Sequence, residues 1–157
     1  MEKLFIVCVE DQREVLNTVS EQLSVFEDYL TLEECESADE AEELIEEIDS
    51  NGDFVAVVIS DHVMPGKSGV DFLIDIKEDG RFKSTKKILL TGQATHVDTI
   101  LAINQAGIDN YVEKPWEAAD LKEKVSRLLT EFIIEKGLDY EPFIKVLDKQ
   151  KLFNLLK

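Results

Sequence analysis

Apolar residues in this chain gather into five short runs separated by longer stretches of mixed polarity. The runs read LFIVCV (4–9), LTLEEC (30–35), FVAVVIS (54–60), KILLT (87–91) and DNYV (109–112). Each has the length and character of a β-strand. Between them apolar positions recur every three or four residues, the period of a helix with one buried face. Within 12–27 these are Val15, Val19, Leu23 and Phe26; within 38–49, Ala41, Leu44, Ile45 and Ile48; within 68–79, Val70, Phe72, Leu73 and Ile76. Residues 96–106 and 117–135 complete the helical set. Ser37-x-x-Glu40 is a capping-box signature. Asn51–Gly52 and Gly137 are stop signals, and Ser68 starts the third helix.

Strict alternation of strand and helix predicts a parallel sheet with helices on both faces. The near-continuous apolar runs agree, because parallel strands are buried on both sides. Five strands and five helices with right-handed crossovers fit an α/β, flavodoxin-like doubly wound sheet of order 2-1-3-4-5. One domain is expected over 1–136, followed by a C-terminal helical extension over 137–157. In that extension Phe143, Val146, Leu147, Phe153 and Leu156 fall at amphipathic spacing. So much apolar surface is not left in water. It either docks on its own domain or pairs with a second copy, and a homodimer is the expectation adopted.

Charge narrows the partners. The 157 residues carry a formal net charge of −17, which argues against direct nucleic-acid binding, since phosphate backbones demand a basic surface. Residues 33–49, EECESADEAEELIEEID, hold much of the acid and read as a solvated helix face. The modest basic cluster from Lys83 to Lys87 is too small to reverse this. No stretch approaches the ~20 apolar residues of a membrane span, and the first residues, MEKLFIVCVED, lack a small-residue cleavage site. A cytoplasmic protein with no membrane partner is expected. Cys8 and Cys35 lie in apolar segments compatible with neighbouring strands. They read as buried reduced thiols and not as a disulfide or a zinc site.

Chemistry enters at the strand ends. The first run stops at Glu10–Asp11, the third at Asp61, the fourth at Thr91, and the fifth runs through Glu113 to Lys114 and Pro115. Ligands in open α/β sheets bind outside the carboxyl ends of the strands. Three carboxylates, a hydroxyl and an ammonium are therefore expected in one cleft. Taken singly, the acid pair reads as a helix cap, Asp61 as a turn residue before Pro65–Gly66, Thr91 as a strand-end hydroxyl and Lys114 as a solvent lysine. Four such residues in order, each closing a strand, form a much more specific signal.

In these motifs the chain resembles the receiver domain of bacterial two-component response regulators over roughly residues 3–130. The acid pair Glu10–Asp11, the sequence SDHVMPGKSG around Asp61, the LTG of Thr91 and the EKPW of Lys114 occur in family order at family-like intervals. The resemblance implies that Asp61 is the phosphoacceptor and that Glu10, Asp11, Asp61 and the Val63 backbone carbonyl hold Mg²⁺. It implies that Lys114 and Thr91 contact phosphoryl oxygens, that Tyr111 is a switch aromatic coupled to Thr91, and that the Lys114–Pro115 bond is cis. The residue types suit these roles: hard oxygen donors for Mg²⁺, a carboxylate nucleophile and a compact ammonium for a phosphoryl oxygen. The implied partners are a sensor histidine kinase or phosphotransfer protein and a downstream output protein or domain. The implied output face comprises the fourth helix, fifth strand and fifth helix, with Asp98, Ile103, Asn104, Gln105 and Trp116 on or beside it. Trp116 by itself reads as a packing residue, and Tyr111 as a half-buried strand tyrosine.

Some positions depart from the family pattern. His62 stands where an acid or apolar residue is usual, and reads as a solvated loop side chain. The resemblance implies that Val63 and Gln93 flank the route by which phosphate reaches Asp61 and bear on the lifetime of an acyl phosphate. The chain is expected to catalyse only its own phosphorylation and dephosphorylation, and so not to be an enzyme acting on an outside substrate. A flavodoxin-like electron carrier would need a Ser/Thr/Gly-rich phosphate loop where Glu10–Asp11–Gln12–Arg13 stands. An Mg²⁺-dependent phosphohydrolase with an aspartate nucleophile would want a second acid at Val63. A receiver-like module that is never phosphorylated would not need the complete set of acids, Thr91 and Lys114.

Overall fold

The computed structural model describes residues 2–92 and 97–157, and for residues 97–99 and 102 it describes the backbone. Gln93 and the side chain of Asp98 thus lie outside the described residues. The strands are β1 (Leu4–Val9), β2 (Thr31–Cys35), β3 (Phe54–Asp61), β4 (Lys86–Thr91) and β5 (Asn110–Glu113). The helices are α1 (Arg13–Gln22), α2 (Ala38–Ser50), α3 (Gly69–Glu78), α4 (Val97–Ala106), α5 (Ala118–Lys136) and α6 (Lys149–Leu156). All strand pairs are parallel, in the order β2-β1-β3-β4-β5. The doubly wound sheet read from the alternation is the fold observed.

Side-chain alternation splits the core into two layers. Leu4, Ile6 and Cys8 of β1 join Leu16 and Val19 of α1 and Leu121, Val125, Leu129 and Phe132 of α5. Val7 and Val9 face the other way, toward Ala41, Ile45 and Ile48 of α2 and Phe72, Leu73 and Ile76 of α3. In α1 the deepest residue is Leu16, with Val15 half-buried. The helical stretch read over 12–27 is two pieces: α1 stops at Gln22 and a 3₁₀ turn runs from Ser24 to Asp28. Ser24 and β-branched Val25 are weak helix formers, and the tighter turn still delivers Phe26 to the core.

The helix-boundary signals act with one change of partner. Ser37 Oγ accepts the Glu40 N–H at 3.1 Å, but the Glu40 carboxylate accepts from the N–H of Glu36. Gly137 closes α5 with φ 71°, a left-handed conformation that glycine adopts without a Cβ penalty. Cys8 and Cys35 are buried and unbridged on the neighbouring strands β1 and β2. Burial pushes both thiols up, Cys35 to about 12, so neither is a thiolate at neutral pH. Lys86 and Lys87 are largely buried, and Lys86 Nζ pairs with Glu135 at 2.9 Å, so the small basic cluster offers still less cationic surface than its sequence. Among the described residues no helix is long and apolar enough to cross a membrane.

The C-terminal extension docks on its own domain. Phe143, Val146, Leu147 and Leu152 are buried in the α1/α5 layer. Polar contacts seat it: Ser126 Oγ donates to the Val146 carbonyl at 2.7 Å, the Asp148 N–H donates to Thr130 Oγ1 at 3.0 Å, and Lys151 pairs with Glu131 at 2.7 Å. Phe153 and Leu156, grouped with these residues by spacing, stay outside at 60% and 51% exposure. Phe143→Ala should therefore cost the whole domain about 3–5 kcal/mol. Urea unfolding should show this as one displaced transition; a separate early transition for the tail would contradict the shared core.

Candidate functional site

Register alone brings the strand-end residues together. Val9 of β1 pairs with Ser60 of β3, so Glu10 and Asp61 emerge side by side. Asp61 pairs with Leu90, placing Thr91 one step further along, and Thr91 pairs with Glu113, placing Lys114 one step beyond. The ladders continue past the strand ends and fix the backbone of the site. The Glu10 N–H donates to the Cys35 carbonyl at 3.0 Å, the His62 N–H to Leu90 at 3.1 Å, and the Lys114 N–H to Thr91 at 2.9 Å. The Lys114–Pro115 peptide bond is cis.

Carboxylate oxygens of Glu10, Asp11 and Asp61 lie within 4.8 Å of one another. Lys114 Nζ donates to Asp61 Oδ1 at 2.8 Å and to Glu10 Oε1 at 3.0 Å. The Glu10 side chain is 1% exposed and Asp11 is open to solvent. Thr91 is buried beside them. A cleft of about 600 Å³ opens between Asp11, Asp61, Val63, Thr91 and Lys114. Every side chain predicted to form the centre is therefore there. Tyr111 is on β5, 45% exposed, two residues short of the position that pairs with Thr91. Trp116 packs against the α1/α5 layer and its indole N–H donates to Gln22 Oε1 at 2.7 Å, as a packing residue would.

Two residues stand apart from their sequence reading. His62 is half-buried, not solvated, and its Nδ1 is a buried atom without a hydrogen-bond partner among the described residues. Gly69 proves essential to the site. A Cβ there would lie 1.7 Å from the Asp61 carbonyl oxygen, so α3 can start against the end of β3 only with glycine. The signal available for it was the glycine immediately after the Ser68 cap, where a helix former is usual.

Electrostatics makes the centre a cation site in search of charge. Burial is the main force on Glu10. It raises the carboxyl from 4.5 to about 7, against the lowering effect of Lys114 and with further help from the Asp61 charge. Burial alone would lower the Lys114 ammonium, but its bonds to Asp61 and then Glu10 outweigh this and leave it raised. Lys114 bonds two of the three clustered carboxylates, Glu10 and Asp61, and the donors are all oxygen. This donor set fits a hard divalent cation such as Mg²⁺.

Between about 4.5 and 7 the folded protein holds a proton on Glu10 that the unfolded chain has already released. In metal-free buffer Glu10's contribution to stability is thus fully present below the lower value and is lost as pH rises through the upper one. Urea midpoints across this range should fall with pH in the wild type and fall less in Glu10→Gln. Parallel profiles would show that Glu10 is not the titrating group.

Comparison with known proteins agrees with this geometry. The family model for the response regulator receiver domain matches residues 6–126. Chemotaxis protein CheY1 of Helicobacter pylori is 31% identical over 124 residues, which cover 79% of this chain and 95% of the relative. The hydrogenase transcriptional regulatory protein HoxA of Bradyrhizobium diazoefficiens is 31% identical over 100 residues, 64% of this chain and 19% of that protein. The signal receiver domain of an HD domain-containing protein from Pseudomonas fluorescens Pf-5 superposes with a TM-score of 0.74 at 27% identity, covering 87% of this chain and 94% of that one. With the acids, threonine and lysine at the family's strand ends and most of the chain inside the match, this protein belongs to the response regulator receiver domains of two-component signalling.

Proposed function

We propose that Asp61 accepts a phosphoryl group from a sensor histidine kinase or phosphotransfer protein in an Mg²⁺-dependent reaction. The resulting change switches a surface that controls a downstream protein or domain. One observation carries this reading: the oxygens of Glu10, Asp11 and Asp61 converge within 4.8 Å, with Lys114 bonded to Asp61.

An Asp61 carboxylate oxygen attacks phosphorus, and the bond from phosphorus to the donor breaks as the acyl phosphate forms. The leaving group departs with the electron pair and takes its proton from solvent. Lys114 then has a phosphoryl oxygen to hold in place of the Asp61 oxygen it bonds beforehand. Thr91 offers its hydroxyl to another. Glu10, Asp11, Asp61 and the Val63 carbonyl would hold Mg²⁺, which supplies the charge that offsets repulsion between carboxylate and phosphoryl group. Positioning and charge are most of what phosphoryl transfer requires. An aspartate-nucleophile phosphohydrolase is less well supported, because an acid is wanted where Val63 stands. A module that is never phosphorylated would leave the bonded Glu10–Lys114–Asp61 set without a purpose.

The response reaches α4, β5 and α5. Among the described residues Ile100, Leu101 and Tyr111 are the large exposed apolar side chains there, with Asn104 and Gln105 open beside them. Ile103, expected on this face, instead packs inward against the α2/α3 layer. The exposed Phe153 and Leu156 leave a second copy as a further partner, and Phe153→Asp tests this by sedimentation without stripping core residues. A cytoplasmic setting fits both partner classes.

Incubation with acetyl phosphate and Mg²⁺ should add one hydroxylamine-labile phosphate, and Asp61→Asn should add none. Labelling of that variant at the wild-type level would end the assignment. Mg²⁺ in the millimolar range should raise the melting temperature by mass action. Lys114→Ala should bind Mg²⁺ at least as tightly as the wild type, because a competing cation is gone, yet fail to couple phosphorylation to the α4–β5–α5 face. Lost Mg²⁺ affinity with a normal response would reverse the role given to Lys114.

A further inference from the structure

The loop between β3 and α3, residues 62–68, carries the Val63 carbonyl that the proposed function places on the cation. Its two ends are fixed by backbone. The His62 N–H bonds Leu90 at 3.1 Å, and the Gly69 N–H bonds the His62 carbonyl at 2.9 Å. Its middle belongs to no strand or helix. Val63 is 67% exposed, Pro65 has no N–H to donate, and Gly66 turns the chain at φ 80°. Two side chains pin this middle. Met64 is buried in the α2/α3 layer. Lys67 Nζ bonds Glu42 Oε1 of α2 at 2.7 Å and also bonds Asp75 of α3. One ammonium thus ties the loop to two helices at once. These bonds, Asp75 first and Glu42 next, raise the Lys67 ammonium, so the clamp is charged throughout the working pH range.

We propose that Lys67 is a positioning residue: its double ion pair to Glu42 and Asp75 presets the β3–α3 loop so that the Val63 carbonyl stands ready at the cation site. The assignment rests on the receiver reading of that site. Lys67 does not act on the reacting atoms. Its bonds go to two carboxylates outside the acid cluster.

The sign of its effect separates this role from plain electrostatics. A lysine near a cation site repels the cation, so losing its charge should tighten Mg²⁺ binding. Losing the clamp should weaken binding, because the loop must then be ordered when the cation arrives. Exposed ion pairs are individually modest, so the expected loss for two of them is about threefold to tenfold.

The experiment uses the full chain as wild type, Lys67→Met, Lys67→Arg, Glu42→Gln/Asp75→Asn and the triple variant. Mg²⁺ affinity is measured by calorimetric titration, and amide hydrogen exchange is followed in metal-free buffer. Lys67→Met should bind Mg²⁺ about threefold to tenfold more weakly. It should also exchange faster at residues 63–68, with β1 and β3 as protected as in the wild type. Lys67→Arg should retain most of the affinity. Adding Lys67→Met to Glu42→Gln/Asp75→Asn should cost nothing further, since the same clamp is already open. Equal or tighter binding by Lys67→Met, or unchanged exchange of the loop, overturns the assignment while leaving the receiver reading intact. A wild type that binds no Mg²⁺ overturns both.

Discussion

Carboxylates held within 4.8 Å of one another repel, and more strongly when one of them is out of water. Glu10 is buried, Asp61 nearly so, and Lys114 is bonded to both. That single ammonium leaves the cluster with more negative than positive charge. The unbalanced charge makes the strand ends a place that suits a hard divalent cation. Burial, helped by the Asp61 charge, accounts for the proton that Glu10 keeps near neutrality when no metal is supplied. Under the proposed function Lys114 serves both situations, as the partner of Asp61 before charge arrives and as a cation for the incoming oxygens afterwards.

Holding like charges together requires a frame that does not yield. The frame is the sheet, whose ladders run one residue past β1, β3 and β5 and so place Glu10, His62 and Lys114 by backbone bonds. Helix α3 is pressed against the end of β3 closely enough that only Gly69 fits. Two apolar layers then keep the strands from shifting, because a slip of one residue would exchange the layers and move every site residue. Stability and chemistry are thus set by the same register.

The sheet edge was legible because buried parallel strands are continuous apolar runs, and a polar residue that stops such a run must come out at the edge. Glu10, Asp61 and Thr91 each do so, and Lys114 follows directly after β5. Other features leave weaker traces. Leu23 and Phe26 keep the same spacing in an α-helix and in the 3₁₀ turn that replaces it, so the break after Gln22 is invisible to periodicity. Gly69 acts through the absence of a side chain. Lys67 looks like any loop lysine until Glu42 and Asp75, far off in sequence, are placed around it. The tail shows the same limit: amphipathic spacing says that one face is buried, not what buries it. Phe143, Val146, Leu147 and Leu152 find α5, while Phe153 and Leu156 do not.

That docked tail bears on where this receiver can be cut and joined. The family match ends at residue 126, inside α5, which continues to Lys136. Beyond it lie Leu128, Leu129, Phe132 and Ile133, and past the helix Phe143, Val146, Leu147 and Leu152, all in one apolar layer. A chimera that swaps receivers at the edge of the family match would graft an open core onto its host. Its failure would report a broken fold and say nothing about signalling compatibility. For this protein the exchangeable unit reaches at least to Leu152.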